Sequence, residues 1–204
     1  MRSITQQSIF HPSLQQQNHP DTAPGCIQKR MTKIQSGQKI GICKNDFKLR
    51  LFNRLPIGIF NISAMSFGSL SGKAIESLNK GAKLGGFAHN TGEGSISAHH
   101  LHGGDLIWQI GTGYFGCRSR DGSFDAGQFR EQAALASVRM IEIKLSQGAK
   151  PGHGGVLPGV KVSAEIARTR GVEAGKTVFS PPSHTAFDTP VGLLEFIVRL
   201  RELS

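Results

Sequence analysis

The sequence predicts an α/β protein built around a parallel sheet. Apolar runs of strand length alternate with segments of helical periodicity, and glycine-rich stretches follow the apolar runs. Glycine accounts for 26 of the 204 residues, which suits many tight backbone turns. Strands and helices in alternation are typical of a parallel sheet covered by helices, and the chain is long enough to bury a core of its own.

The first strand–helix–strand unit begins at an apolar run over residues 57–65. This run lacks strict alternation, which is typical of a strand buried on both faces. Ser69 or Ser71 is placed to cap the helix that follows. The glycine pair at 85–86 supplies the end of that helix, and residues 87–90 form the second predicted strand.

The rest of the chain continues the alternation after one interruption. Residues 94–128 are expected to form a long loop that contains one apolar stretch. Long loops inside a compact domain are usually functional or disordered. Residues 138–145 are the next predicted strand. Ser163 caps a short helix over 164–170, and residues 189–190 (Thr-Pro) open the last helix.

Residues 1–50 are expected to form a poorly ordered basic leader, ahead of a folded domain over 51–204. Residues 1–60 contain nine Lys and Arg but two acidic residues, so seven of the ten net positive charges lie there. A basic segment can bind nucleic acid, but this one lacks the interleaved aromatic side chains of a stacking platform. Nucleic acid is therefore a disfavoured partner, and a non-catalytic binding module is the alternative to an enzyme.

Cysteine content and hydropathy favour a reducing, cytoplasmic location. The three cysteines form no CxxC pair, so neither a disulfide framework nor a structural zinc site is expected. No apolar run reaches the length of a membrane span, and the N-terminus lacks the apolar region of a secretory signal. His99, His100 and His102 lack the i, i+4 spacing of a helical metal site and are expected to be solvated loop histidines.

Glycine-rich stretches follow three predicted strands, which is where an α/β barrel places its active site. In the first, residues 64–71, backbone amides and a helix N-terminus could approach a flat or anionic ligand, although a tight capped turn explains it equally well. The second places Glu93 between two glycines, where its carboxylate is accessible as an acid, a base or a gate. Spacing alone favours a structural turn there.

The third stretch, residues 144–155, is the strongest candidate. Lys144 ends an apolar strand, so a buried ammonium there needs partners. Gln147 and Lys150 follow in the next loop. Two cations and an amide suit a dicarboxylate, or the electron-rich atoms of a reduced cofactor. A lysine that reaches solvent beside a mobile loop is the structural alternative.

Four segments in this order resemble the FMN-binding synthase domain of glutamate synthases: NISAMSFGSLS, AHNTGEG, MIEIKLSQGAKPGHGGVLPGVKVSAEIARTRG and SPPSH. The similarity covers residues 55–204 and implies a TIM (β/α)8 barrel of the FMN-linked oxidoreductase type, truncated before closure. It implies FMN and an iron–sulfur cluster as cofactors, and formation of L-glutamate from 2-oxoglutarate and ammonia. The cluster cysteines and the FMN phosphate site belong to the later part of that barrel and are not expected in this chain.

The resemblance also implies roles for single residues. Glu93 and Lys144 would be catalytic, Gln147 and Lys150 would bind 2-oxoglutarate, and no residue is assigned to a metal. The flavin contacts would come from the first and third glycine-rich stretches: Ala64, Met65, Ser66, Gly68, Lys144 and Gln147.

The sequence departs from the larger glutamate synthases at two places. It begins Met1-Arg2 rather than with the nucleophilic cysteine of a glutaminase domain, and it has Ser95 where a third glycine is typical. We therefore expect no glutamine-derived ammonia, no turnover and little FMN binding by the chain alone, and a second chain that completes the barrel as a partner. The enzymatic alternative is an FMN-barrel oxidoreductase acting on another 2-oxo or 2-hydroxy acid.

Overall fold

The computed structural model describes the backbone of residues 39–43 and the whole of residues 60–147 and 152–204. All of them belong to one compact unit, residues 35–204. A four-stranded sheet has the order β1-β4-β3-β2. Its strands are β1 (Lys39–Cys43), β2 (His89–Asn90), β3 (Leu106–Ile110) and β4 (Val138–Lys144).

Strands β2, β3 and β4 run parallel, whereas β1 pairs antiparallel with β4. Ile62 adds a parallel bridge to His89 on the other edge. The α/β prediction is therefore confirmed, with parallel neighbours in chain order. A separate antiparallel ribbon joins β5 (Val156–Leu157) to β6 (Val178–Phe179).

In the described part of the chain four α-helices accompany the strands, and side-chain oxygens cap all four. Ser71, Asp125, Ser163 and Thr189 each accept a hydrogen bond from a backbone N–H in the first turn. Of the two predicted caps of the first helix, Ser71 is the one observed. The predicted cap at Ser163, the predicted start of the last helix at residues 189–190 and the predicted glycine end of the first helix are confirmed. The helices are α1 (Gly72–Gly85), α2 (Ala126–Ala133), α3 (Ala164–Arg170) and α4 (Pro190–Leu203).

The main core lies between β3, β4 and the helices α2 and α4. Trp108 is fully buried and stacks on Phe129 with their ring centroids 5.5 Å apart. Phe196 of α4 joins the same cluster. A second cluster packs α1 and α3 around Phe115. Both faces of β3 are covered, as expected for a strand inside a helix-covered parallel sheet.

The apolar stretch predicted within the long loop over residues 94–128 forms strand β3, so the loop prediction is wrong over Leu106–Ile110. All five of its residues are buried, and such a short run carries no alternation to mark it as a strand. Residues 39–43 were expected to be loop and form β1. In the part of the chain that is described, no helix is long and apolar enough to cross a membrane.

Candidate active site

The carboxyl ends of the parallel strands open into a cavity of about 420 Å³. Its wall is formed by the loops after Ile62, β2, β3 and β4, by the end of β3, by ribbon β5–β6 and by the end of α3. Gly68 lies in the first loop but does not line the cavity, and Lys150 lies outside the described residues. Six of the predicted site residues line it: Ala64, Met65, Ser66, Glu93, Lys144 and Gln147.

Three of these side chains form a closed polar cluster. The Lys144 Nζ lies 3.2 Å from Glu93 Oε2 and donates to Gln147 Oε1 at 3.0 Å. The Gln147 amide nitrogen in turn donates to both Glu93 oxygens, at 3.0 and 2.9 Å. The ammonium of Lys144 thus has the partners that its position on an apolar strand requires. A carboxylate, an ammonium and an amide meet at one wall of the cavity.

Arg170 is the main site residue that the sequence analysis missed. It ends α3, is only 5% exposed, and lines the same cavity. Its Nη2 donates to Ser66 Oγ and to the Phe67 carbonyl, both at 3.1 Å, and its guanidinium lies 5.1 Å from the Phe115 ring centroid. Burial lowers the pKa of Arg170, and the nearby Glu93 carboxylate opposes that shift. Its Nε has no hydrogen-bond partner among the described residues.

The glycines on either side of Glu93 are required by close packing. A Cβ at Gly92, whose φ is +66°, would lie 2.8 Å from the Ser66 nitrogen. A Cβ at Gly94 would collide with Ser66 Oγ and lie 2.9 Å from Arg170 Nη2. The glycines therefore let the Glu93 loop and the loop over residues 64–68 touch, which brings the carboxylate close to the other polar groups.

A polar layer from three adjacent strands lies beside the cluster. The Asn90 amide donates to Glu142 Oε1 at 3.0 Å, and the Gln109 amide donates to the same oxygen. Because β2, β3 and β4 are parallel neighbours, these three side chains share one face of the sheet. Gln109 also lines the cavity. It was missed because its segment was expected to be loop.

The histidines after Gly94 are not simply solvated, so that expectation is wrong for His100. His100 is fully buried, with Nε2 at 3.0 Å from the Met65 carbonyl and Nδ1 accepting from the Ser97 N–H at 3.1 Å. Burial lowers its pKa to about 4 and does the same for the neighbouring His89. His99 pairs with Glu165 at 2.8 Å. His100 thus fixes the backbone of the first loop.

The described residues offer no metal centre. They contain no group of three or more His, Cys, Asp or Glu arranged to hold a metal ion. Cys117 is fully buried, and burial raises the pKa of its thiol far above its ordinary value, so it is not a ready thiolate ligand.

The family model described as a conserved region in glutamate synthase matches residues 26–204. The chain belongs to the glutamate synthase family. The resemblance carried by the four sequence segments is therefore confirmed. The matched region begins at residue 26, upstream of residue 55, where the similarity described from the four segments begins.

Curated relatives show the same relationship. The chain is 45% identical over 149 residues to the glutamate synthase large subunit-like protein YerD of Bacillus subtilis (strain 168), covering 72% of this chain and 28% of the relative. It is 37% identical over 144 residues to an archaeal-type glutamate synthase (NADPH) of Dehalococcoides mccartyi, covering 70% and 26%. The archaeal glutamate synthase (NADPH) of Methanocaldococcus jannaschii is 35% identical over 169 residues, covering 82% and 30%. The chain covers less than a third of the length of each of these three relatives.

Proposed function

We propose that this chain supplies the first strands and site loops of a (β/α)8 barrel that acts as an FMN-dependent glutamate synthase. The observation that carries the proposal is the cavity in which Glu93, Lys144 and Gln147 meet the loop over residues 64–66 and Arg170. The strand order supports the barrel, because Ile62, β2, β3 and β4 are parallel neighbours in chain order, as consecutive barrel strands are.

The residues of the cavity fit the ring of a flavin. Its volume of about 420 Å³ lies within the usual range for a ligand pocket. Ala64, Met65 and Ser66 would contact the ring from one side, with Lys144 and Gln147 as polar contacts. The buried, unpartnered Nε of Arg170 is a donor that a ligand could satisfy. When bound, FMN would supply the hydride that reduces an imine to an amine.

The chain's own residues are suited to hold 2-oxoglutarate. The two carboxylates of 2-oxoglutarate require cations and amide donors, which Lys144, Arg170 and Gln147 provide. Lys150 is proposed to add a further cation. Lys144 and Gln147 are satisfied by Glu93 in the present arrangement. A substrate carboxylate would therefore take over the place of the Glu93 carboxylate as their partner.

The Glu93 carboxylate is then available as a proton acceptor. We assign it to accept a proton from an ammonium ion at a carboxylate oxygen, which leaves neutral ammonia as the nucleophile for the 2-oxo carbon. Ammonia adds to the 2-oxo carbon, and the former carbonyl oxygen then leaves as water to give the imine. The imine must be kept from further water, and ribbon β5–β6 forms a wall of the cavity that helps to exclude it. The family's iron–sulfur cluster finds no set of ligands among the described residues, and no step is derived through it.

A fusion protein tests the function. Residues 1–204 are joined to the part of the Bacillus subtilis relative that follows the aligned region, and glutamate formation from 2-oxoglutarate and ammonium is measured with a chemical reductant. Lys144→Met should abolish the activity, whereas Lys161→Met, at an exposed position, should preserve it. A clear preference for another 2-oxo acid would favour the alternative oxidoreductase. A fusion protein that is folded and yellow yet forms no amino acid would contradict the proposal.

A further inference from the structure

The SPPSH segment, residues 180–184, lies between β6 and α4 and takes no part in the proposed chemistry. We propose that His184 is a positioning residue that fixes the end of β4, and thereby the ammonium of Lys144. The proposal rests on the proposed function for its biological meaning. His184 is only 5% exposed and does not line the cavity, so it acts through Lys144 rather than on a ligand.

The hydrogen bonds of His184 select one tautomer. Its Nε2 lies 2.9 Å from the Lys144 carbonyl oxygen, which can only accept, so Nε2 must carry the proton. Its Nδ1 lies 3.0 Å from the Tyr114 hydroxyl. That hydroxyl accepts from the backbone N–H groups of Thr185 and Ala186 at 3.1 and 3.0 Å, which leaves its own proton for Nδ1. The ring is neutral, and burial lowers its pKa.

The hydrogen bond from His184 Nε2 to the Lys144 carbonyl lies at the end of strand β4, where the pairing of the sheet ends. Lys144 is the last residue of β4, and the chain turns there toward Gln147. The side chain of Lys144 must leave that point in the direction of Glu93 to reach its 3.2 Å contact. The hydrogen bond from His184 to the Lys144 carbonyl restrains the orientation of the peptide plane between residues 144 and 145. It therefore also restrains the direction in which the Lys144 side chain leaves the backbone.

His184 is itself held by its surroundings. Its ring stacks on Phe187 with centroids 4.8 Å apart. The Thr112 hydroxyl donates to the Pro181 carbonyl at 2.6 Å, and the Ser180 N–H donates to the Gly155 carbonyl at 2.8 Å. The segment is thus tied to the loop after β3 and to the start of ribbon β5–β6. Because these three contacts hold the segment in place, His184 can restrain the position of Lys144, which a mobile side chain could not do.

Lysine acylation followed by mass spectrometry tests the proposal on the chain alone, without flavin or substrate. The rate at Lys144 is divided by the rate at exposed Lys161 in the same molecule. His184→Ala should raise this ratio about fivefold, the factor that corresponds to one net hydrogen bond of about 1 kcal/mol. His184→Gln keeps a donor near the Nε2 position, so its ratio of acylation rates should lie within about twofold of the wild-type ratio. Ser183→Ala, an exposed neighbour, is the control and should leave it unchanged.

The tautomer gives a second, independent readout. Long-range ¹H–¹⁵N correlation spectra of the wild-type chain should show His184 protonated at Nε2. Tyr114→Phe should keep this tautomer but shift the Nδ1 resonance, because Nδ1 loses its hydrogen-bond donor. Should His184→Ala fail to fold, as Trp108 fluorescence would reveal, the comparison of His184→Gln with His184→Asn decides. An Nδ1-protonated ring, or equal Lys144 ratios in the Gln and Asn variants and the wild type, would overturn the proposal. Neither readout depends on glutamate formation, so failure of the proposed function remains distinguishable.

Discussion

Removing the charge of Glu93 should destabilise the fold as well as the site. Glu93→Gln keeps the size and one acceptor oxygen, but it places an amide N–H₂ group near the Lys144 ammonium. Two donors then face each other where an ion pair stood at 3.2 Å. The cation of Arg170 loses the same counter-charge. The remaining positive charges are left in a partly buried cavity without compensation.

The size of the effect follows from the geometry. At 3.2 Å and an effective dielectric constant of about 20, the gross attraction is about 5 kcal/mol. The Lys144 and Glu93 side chains are 21% and 18% exposed, so solvent screens the pair only in part. Breaking a buried pair by removing one partner costs about 3–5 kcal/mol, and the amide oxygen introduced by Glu93→Gln can still accept one hydrogen bond. We expect a net loss of about 2–3 kcal/mol in the free energy of unfolding.

Urea unfolding followed by fluorescence measures this loss. Trp108 is the only tryptophan and lies in the core on β3, so its emission reports unfolding without a label. With a slope of about 2 kcal/mol/M, the midpoint should fall by about 1–1.5 M. Glu173→Gln breaks an exposed pair, 72% and 70% accessible, and should leave the midpoint nearly unchanged. A Glu93→Gln midpoint equal to or above that of the wild type would refute the reasoning.

Two further predictions concern residues packed around the site. His89 and His100 have pKa values of about 4 in the fold against 6.5 when unfolded, so the unfolded chain binds protons first as pH falls. Stability should therefore drop by about 2 kcal/mol per histidine between pH 7 and 5, and pH-independent urea midpoints in that window would contradict this. Gly94→Ala should displace Arg170 and cost about 1–3 kcal/mol. Gly81→Ala, with open space around its Cβ, should stabilise α1 instead, and equal midpoints for the two variants would count against the packing argument.

The features that the sequence predicted well are local. A cap such as Ser71 or Ser163 depends on a donor three residues away, and the end of α1 depends on a glycine at the next position. Lys144 could be singled out because an ammonium on an apolar strand demands partners, whatever the rest of the fold. These signals lie within a few residues of the feature that they predict.

The features that were missed depend on distant contacts. The sequence predicts Arg170 only as the end of a short helix, because its partner Ser66 is 104 residues away in the sequence. His100 is buried, and the acceptor of its ring proton is the Met65 carbonyl, 35 residues upstream. Strand β3 packs one face against α2 and α4 and turns the other, with Gln109, toward the cavity, so its own five residues carried no periodic signal. Tertiary packing decided all three.

The central claim is that this chain carries the flavin-facing loops of a glutamate synthase barrel, and flavin retention tests it most directly. The chain alone and the fusion protein that completes the barrel are each mixed with FMN, passed through gel filtration and scanned from about 350 to 500 nm, with the Bacillus subtilis relative in parallel. We expect free flavin from the chain alone and a shifted flavin spectrum that elutes with the fusion protein. A folded but colourless fusion protein beside a coloured relative would contradict the proposed flavin site.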